Sequence, residues 1–410
     1  MGNPLKALAG QHFIGGAWRG GSDGFDLRQR IEPFATVGTW PRANESLTVE
    51  ALQAARVGRS GWQGLSAVER ADGLRRVLKH LRSDVNWSEH LSQLLGLEST
   101  EIEEEYAALD ALIENDVLFD SGSNGTQPTT GDVATEVGVV FARWTDLVSG
   151  LFGRIVTQLK RDRGVVLISD DRWPAGADSI GAAFSSAGMP SGLISILHGL
   201  PGPLKAALEG MTNTDHSGAS FAANSVLQST GAFAELRNSE VRFALDLGGF
   251  ERGNSSFIVR KETELDSAVE QIIEQAFGRA KTFSGQRTNR VARVICNVRR
   301  FSAFCESLVS ALESSPDVNQ PLPLIDNEAL STTRSLWNLG LDEGATLIFG
   351  GEPFKSPTGS RARDPRVWPA VFTNVDSEMA VSRFRETAPV LCLIRADDDE
   401  AAELLARELD

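Results

Sequence analysis

The chain has 410 residues, 41% of them hydrophobic and 23% charged, a globular composition with room for two or three domains and a large core. A formal net charge of −15 argues against a nucleic-acid footprint, which needs a basic face, and no apolar run reaches the roughly 20 residues that span a bilayer. The N-terminus MGNPLKALAGQHF has one lysine and no sustained apolar stretch, unlike a signal peptide. Lys6 stands where a myristoylation motif wants Ser or Thr. A cytoplasmic location is expected, with neither nucleic acid nor membrane as partner.

In chain order, HFIGGAWRGG predicts a short strand and turn. From Leu47 to about Ile113 apolar residues recur every three or four positions. The stretches VEALQAARVGRSGWQGL, VERADGLRRVLKHLRSDV and EHLSQLLGLESTEIEEEYAALDALI each predict a helix. The polar segment Asp120 to Thr135, DSGSNGTQPTTGDVAT, reads as a loop or exposed arm. Next, EVGVVFA, GVVLIS and GLISILHG alternate with the helical patterns LVSGLFGRIVTQLKRD, GADSIGAAFSSAG and GPLKAALEGM. That rhythm predicts a parallel sheet covered by helices.

A second α/β unit is expected to begin near Asp246. It runs through SSFIV, a helix from Leu265 to Ala280, the turn FSGQRTNR and the strand RVARVICN. It closes with ATLIFGG, RVWPAVFTNV and APVLCLIRADDDEAAELLAREL. Residues 1–245, with a polar arm near 120–135, and 246–410 are thus the expected domains.

Three cysteines, Cys296, Cys305 and Cys392, fit a reducing compartment, with no disulfide framework and no metal-ligand spacing. Each is expected to act as a small buried hydrophobe. The five histidines, His12, His80, His90, His198 and His216, share no i, i+3 or i+4 spacing, so the sequence supports no metal site.

The order of motifs resembles the aldehyde dehydrogenase superfamily. FIGGAW is similar to the family's opening motif, and VGVVFARWTDLVSGL to its strand and Pro-Trp-Asn-Phe-Pro turn. GVVLISDDRWPAG resembles Val-Val-Leu-Lys-Pro-x-Glu, and AGMPSGLISILHG resembles Ala-Gly-Leu-Pro-x-Gly-Val-x-Asn-x-Val-x-Gly. LDLGGF, ELDSAVEQIIEQAF, SGQRTNRVARV and RETAPVL follow where the family has Leu-Glu-Leu-Gly-Gly-Lys, its Asp-Leu-Asp-x-Ala-Val helix, Gly-Gln-x-Cys and Glu-x-Phe-Gly-Pro-Val. The resemblance implies an α/β fold, with a Rossmann-like dinucleotide-binding-type domain followed by an α/β catalytic-like domain. It also implies a longer chain, since family members continue beyond the helix AAELLARELD.

In that family a cysteine thiolate attacks the aldehyde, hydride passes to a nicotinamide, and a glutamate activates water. Here the resemblance puts Thr288 at the nucleophile and Asp246 at the glutamate. Thr145 falls at an asparagine whose amide stabilises the oxyanion. An alcohol stays protonated without a base beside it. Asp246, one methylene short, leaves two readings open: a general base, or a strand-end residue bonding turn amides.

On the cofactor side, Ile168 and Ser169 replace a lysine and proline, and Ala222, Ala223 and Asn224 replace Thr-Gly-Ser. Pro203 and Leu204 stand where the family opens a helix with glycine, Phe250 replaces a lysine, and Arg385 (beside Glu386) replaces a ribose-binding glutamate. Asp171, Asn224, Gly199 and Gly248 remain as candidate cofactor contacts.

The resulting expectation is a catalytically inactive relative that needs no cofactor. It would serve as a structural or regulatory subunit, with a second copy or an active aldehyde dehydrogenase paralogue as partner. The expected contact surface includes residues 230 to 260 and the C-terminal helix. The alternatives are an NAD- or NADP-dependent aldehyde dehydrogenase with an altered site, and a ligand-binding module without turnover.

Overall fold

The computed structural model describes residues 8–21, 23–28, 36–84, 87–114, 135–200, 243–246, 255–278, 283–287, 290–351 and 365–409. The chain divides into two compact units, Met1–Gly248 and Gly249–Asp410.

The first unit opens with β1 (Leu8–Ala9), then β2 (His12–Ile14) and β3 (Ala17–Arg19), which pair as an antiparallel hairpin. Its two-residue turn, Gly15–Gly16, has φ of 64° and 85°, the left-handed conformation such a turn demands and that a Cβ opposes. The strand and turn expected there is therefore a hairpin. Strands β4 (Gly24–Arg28) and β5 (Thr36–Pro41) join β1 in a small sheet of order β1-β5-β4, which the sequence pattern does not predict.

Helix α1 (Glu45–Gln63) is capped by Asn44, whose Oδ1 accepts from the Leu47 amide at 2.9 Å. Helix α2 (Ala67–Arg82) starts at a Ser66/Glu69 capping box. The third predicted helix is broken. A short α3 (Trp87–His90) runs into a π-turn at Leu91–Leu95 and stops at Gly96 with φ 71°, and α4 (Ser99–Glu114) restarts beyond it. The apolar period continues through residues 91–97, so periodicity alone does not reveal the left-handed stop.

The larger sheet holds β6 (Val137–Phe141), β7 (Gly164–Ile168), β8 (Ile194–Leu197) and β9 (Phe243–Asp246) in the order β3-β2-β8-β7-β6-β9. Strands β6 to β9 are parallel to one another, and the hairpin adds antiparallel at β8. Every residue of β6, β7 and β8 is buried, as expected of parallel strands covered on both faces. The covering includes α5 (Leu147–Lys160), α6 (Pro174–Ser186) and α1. A Cβ on Gly164 would lie 2.0 Å from Ala55 O, so glycine is what lets α1 sit on β7.

Asp246, expected to open the second unit, instead ends β9, opposite Val140 in the first sheet. The expected polar arm, apart from its last residue Thr135, and the expected helix GPLKAALEGM lie outside the described residues. So do residues 230–242 and 247–254 of the expected contact surface.

The second unit comprises β10 (Ser255–Val259), α7 (Leu265–Phe277), β11 (Val291–Asn297), α8 (Val298–Ser314), β12 (Leu322–Pro323) and α9 (Asn327–Asp342). It continues through β13 (Thr346–Gly350), β14 (Arg366–Val367), β15 (Ala370–Val375), α10 (Ala380–Arg383), β16 (Val390–Ala396) and α11 (Asp399–Leu409). Its main sheet runs β10-β11-β16-β15-β13, with only β13 antiparallel. Period-two alternation splits β16 between two cores. Leu391 and Leu393 join Ile272, Phe304 and Leu308 of α7 and α8, while Cys392 and Ile394 join Trp337, Val381 and Ala402 of α9, α10 and α11.

No helix among the described residues is long and apolar enough to cross a membrane.

The first turn of α5 lacks a side-chain cap from its own N-cap residue. Glu105 of α4, 4% exposed, supplies one from outside. Its carboxylate accepts from the Val148 amide at 3.0 Å, the Ser149 amide at 2.8 Å and Ser149 Oγ at 2.6 Å. Glu105→Ala should lower unfolding stability by about 2–3 kcal/mol, because buried donors lose a charged acceptor. Urea denaturation measures this, and Glu105→Gln, which keeps one acceptor oxygen, should lose less.

Candidate cofactor and catalytic site

In doubly wound sheets ligands bind beyond the carboxyl ends of the strands. Here that end carries Ile168 at the tip of β7, Asp246 at the tip of β9, and Thr145 in the turn after β6. The topology therefore gathers three of the sequence-predicted positions at one edge. Ile168 is 3% exposed and packs in the apolar cluster with Val139, Phe141 and Leu197. Thr145 is half-buried, flanked by two tied neighbours. The Trp144 amide donates to Asp170 Oδ2 at 3.0 Å, and Arg154 Nη1 donates to Asp146 Oδ2 at 2.6 Å and to Phe141 O at 2.8 Å. Burial raises the Asp146 pKa, against the pull of Arg154 and Arg143.

Ser169 and His198, on the ends of β7 and β8, are bonded to each other, with Ser169 Oγ 2.7 Å from His198 Nδ1. His198 Nε2 faces two acceptors, Gln11 O at 3.2 Å and Asp178 Oδ1 at 3.0 Å. In the tautomer with its hydrogen on Nε2, that nitrogen donates toward these acceptors and Ser169 donates to Nδ1. Trp40 Nε1 donates to the other Asp178 oxygen at 2.6 Å. The His198 amide donates to His12 Nδ1 at 3.2 Å, and the two imidazoles stack at 5.7 Å between centroids. Histidines scattered in sequence thus form a buried pair. Burial first, and the neighbouring His198 second, lower the His12 pKa to about 4.

Gly199 has φ 56°, and a Cβ there would lie 2.9 Å from Phe25 Cε1 and 3.0 Å from Arg42 Cγ. The chain's own β4 and the residue after β5 pack where the resemblance puts a phosphate approach. Asp171 is exposed. Its neighbour Asp170 ties the loops together, accepting from the Trp144 and Arg172 amides at 3.0 and 2.9 Å. Asp170 is not among the sequence-predicted positions, and its only signal is adjacency to the strand end. At these described strand ends the hydroxyl of Ser169 and the imidazole of His198 are bonded to each other, and Ile168 offers only hydrocarbon.

In the second unit, the turn Phe283–Arg287 folds back on α7. The Gly285 amide donates to Phe277 O at 3.1 Å, and a Cβ on Gly285 would lie 2.9 Å from both Ala276 O and Pro389 Cα. Gln286, 2% exposed, donates from Nε2 to Phe283 O at 2.9 Å and accepts from the Ile325 amide at 3.0 Å. Arg287 lies over the Phe283 ring at 4.0 Å. Arg385 and Glu386 are exposed. Thr288, Asn224 and Gly248 lie outside the described residues, as do Ala222, Ala223, Pro203, Leu204 and Phe250.

Cys296 and Cys392 are fully buried strand residues, as expected, and burial pushes both thiols up to about 12. Cys305 differs from expectation in being only half-buried, on α8, and burial pushes it up to about 11. Among the described residues no group of three His, Cys, Asp or Glu side chains could hold a metal ion.

The model of the Aldehyde dehydrogenase family matches residues 151–407. Alpha-ketoglutaric semialdehyde dehydrogenase of Bacillus subtilis is 28% identical over 238 residues, 56% of this chain but only 45% of that protein. Vanillin dehydrogenase of Corynebacterium glutamicum is 25% identical over 424 residues, 98% of this chain and 83% of the relative. Among solved structures, 3,6-anhydro-L-galactose dehydrogenase in complex with NAP superposes with a TM-score of 0.74 at 19% identity, covering 98% of this chain and 85% of that one. This likeness bears out the expected α/β fold class.

The buried His12 yields a pH prediction. Its folded pKa is depressed, so its contribution is intact above the unfolded value of 6.5 and is lost as pH falls toward about 4. The loss across that window is at most about 3 kcal/mol. His12→Asn, which keeps an acceptor for the His198 amide, should flatten this part of the profile in denaturant titrations between pH 7 and 4.

Proposed function

The chain belongs to the aldehyde dehydrogenase family, and from that premise we propose that it is a member without dehydrogenase turnover, acting in the cytoplasm as a structural or regulatory subunit. One observation carries this reading: the position that the resemblance gives the nucleophile holds no cysteine. The nucleophile position is Thr288, and the three thiols the chain does possess are raised to about 12, 11 and 12. At pH 7 their thiolate fractions are on the order of 10⁻⁴ to 10⁻⁵. Thr145, at the oxyanion position, has no side-chain amide to offer, and groups that act as a unit fail together.

The cofactor reading follows the same line. The solved relative holds NAP, whereas in this chain Ser169 and His198 bond each other and Ile168 is buried hydrocarbon. These support a chain that needs no dinucleotide. The partner would be a second copy or an active paralogue of the same fold, because oligomer surfaces in such families are self-complementary. Light scattering of the chain, alone and with the paralogue, tests that role. A species at the 44.2 kDa chain mass under both conditions would rule it out.

Purified protein is expected to reduce neither NAD⁺ nor NADP⁺ with short aliphatic, aromatic or acidic semialdehydes. A robust rate abolished by Thr288→Ala would overturn the proposal. Thr288→Cys alone should not restore oxidation, since cofactor and oxyanion contacts are also changed. Millimolar NAD⁺ or NADP⁺ should leave the melting temperature unmoved, whereas a ligand at 100 times its dissociation constant would add about 2.7 kcal/mol.

A further inference from the structure

Arg290 leads into β11 and is 2% exposed. Its Nη1 donates to Val390 O at 2.9 Å and, at the limit of a hydrogen bond, to Val291 O at 3.5 Å. Its Cζ lies 5.4 Å from the centroid of the Phe384 ring. Its other two nitrogens, Nε and Nη2, have no hydrogen-bond partner among the described residues. Those two share one edge of the guanidinium, the side-on fork whose parallel N–H groups match the two oxygens of a carboxylate. The edge whose geometry matches an anion is thus buried and unpartnered among the described residues.

No carboxylate forms a salt bridge with Arg290 among the described residues. After burial, the groups that bear on its charge are the Cys392 thiol and a second cation, Arg293. Arg293, also 2% exposed, donates from Nε to Ser256 Oγ at 3.1 Å and from Nη1 to Ser382 O at 3.1 Å. Cys392, paired with Arg293 across β16, is a neutral thiol raised to about 12. Burial lowers the Arg290 pKa only to about 9, so the group stays charged at neutral pH. A desolvated cation without a counter-charge is a costly arrangement, and buried polar groups left open call for a partner.

A second buried group without a partner lies in the turn that packs on the same segment of chain. Ser284, 1% exposed, has no partner for its Oγ among the described residues. Its neighbour Gly285 packs against Pro389, the residue before the Val390 carbonyl that anchors Arg290.

We propose that the Nε–Nη2 edge of Arg290, with the Ser284 hydroxyl, is the receptor for a small carboxylate monoanion. A single negative charge balances the guanidinium, whereas a phosphate dianion brings a larger desolvation cost to the same interior. The inference rests on packing within the second unit and does not depend on whether the chain turns over an aldehyde.

The test is thermal unfolding of the full chain in sodium acetate, sodium phosphate and sodium chloride at matched ionic strength. Acetate should raise the melting temperature saturably, by about 4 °C over chloride. Arg290→Lys keeps the charge and loses the fork, and it should forfeit most of that rise. Arg290→Met should show none. If the methionine variant fails to fold, the lysine variant and Ser284→Ala still decide the matter, the latter weakening acetate binding several-fold in calorimetric titration. The proposal fails if acetate gives no saturable rise, if Arg290→Lys responds as the parent does, or if phosphate stabilises as much as acetate.

Discussion

The contact between Ser169 and His198 ties together the carboxyl ends of β7 and β8, neighbours in the first unit's larger sheet. His198 is bonded through one ring nitrogen to the end of β7, and its other ring nitrogen faces Asp178 of α6 and the backbone before β2. Its amide reaches His12 on β2, and Asp178 in turn receives the Trp40 indole from β5. Three elements, β7, α6 and β2, therefore meet on one imidazole with no exposure, and β5 joins them through Asp178. Replacing a strand-end proline by Ser169 supplies a hydroxyl that only an inward partner can satisfy, and a buried donor without one would cost more than the bond itself contributes. The network draws the N-terminal strands over the sheet's carboxyl edge, and Gly199 is glycine because Phe25 and Arg42 press against it.

How much of this is legible in the sequence depends on how far apart the interacting residues lie. Strands β6, β7 and β8 read clearly because burial on both faces leaves unbroken runs such as VGVVF and GVVLI. The helices read clearly where one apolar stripe faces one layer, as in α7 with Val269, Ile272 and Ala276. The β1-β5-β4 sheet does not read, since strands such as GFDLR mix polarity and alternate weakly. The sequence puts Asp246 on the wrong side of the domain boundary because the four-residue β9 owes its place to pairing with β6, which no local pattern encodes. His12 and His198 are 186 positions apart, and nothing local to either announces the other.

Thr145 and Asp246 are singled out only through the resemblance, and the sheet order puts them at one edge because β6 and β9 are adjacent and parallel. The thiols illustrate the opposite limit. A cysteine in VARVICN or in PVLCLI reads as buried from its neighbours alone, and burial is what pushes its pKa up. Chemistry and packing pull a thiol in opposite directions, because a nucleophile needs a polar, electropositive setting and a core residue needs the reverse. All three thiols of this chain lie on the packing side of that divide.

The turn SGQRTNR shows how packing by itself can fix the letters of a motif. Gly285 is required by the Ala276 carbonyl and by Pro389, each too close to admit a side chain, and its positive φ suits glycine on separate grounds. Gln286 satisfies the Phe283 carbonyl and the Ile325 amide from inside the core, where loss of either bond would strand a buried group. Neither role involves an aldehyde, a thiolate or a cofactor. The letters before position 288 thus have packing reasons of their own, independent of the residue at 288. A family signature of this kind therefore identifies the fold through its glycine and glutamine and says nothing about turnover, which rests on the side chain that follows them.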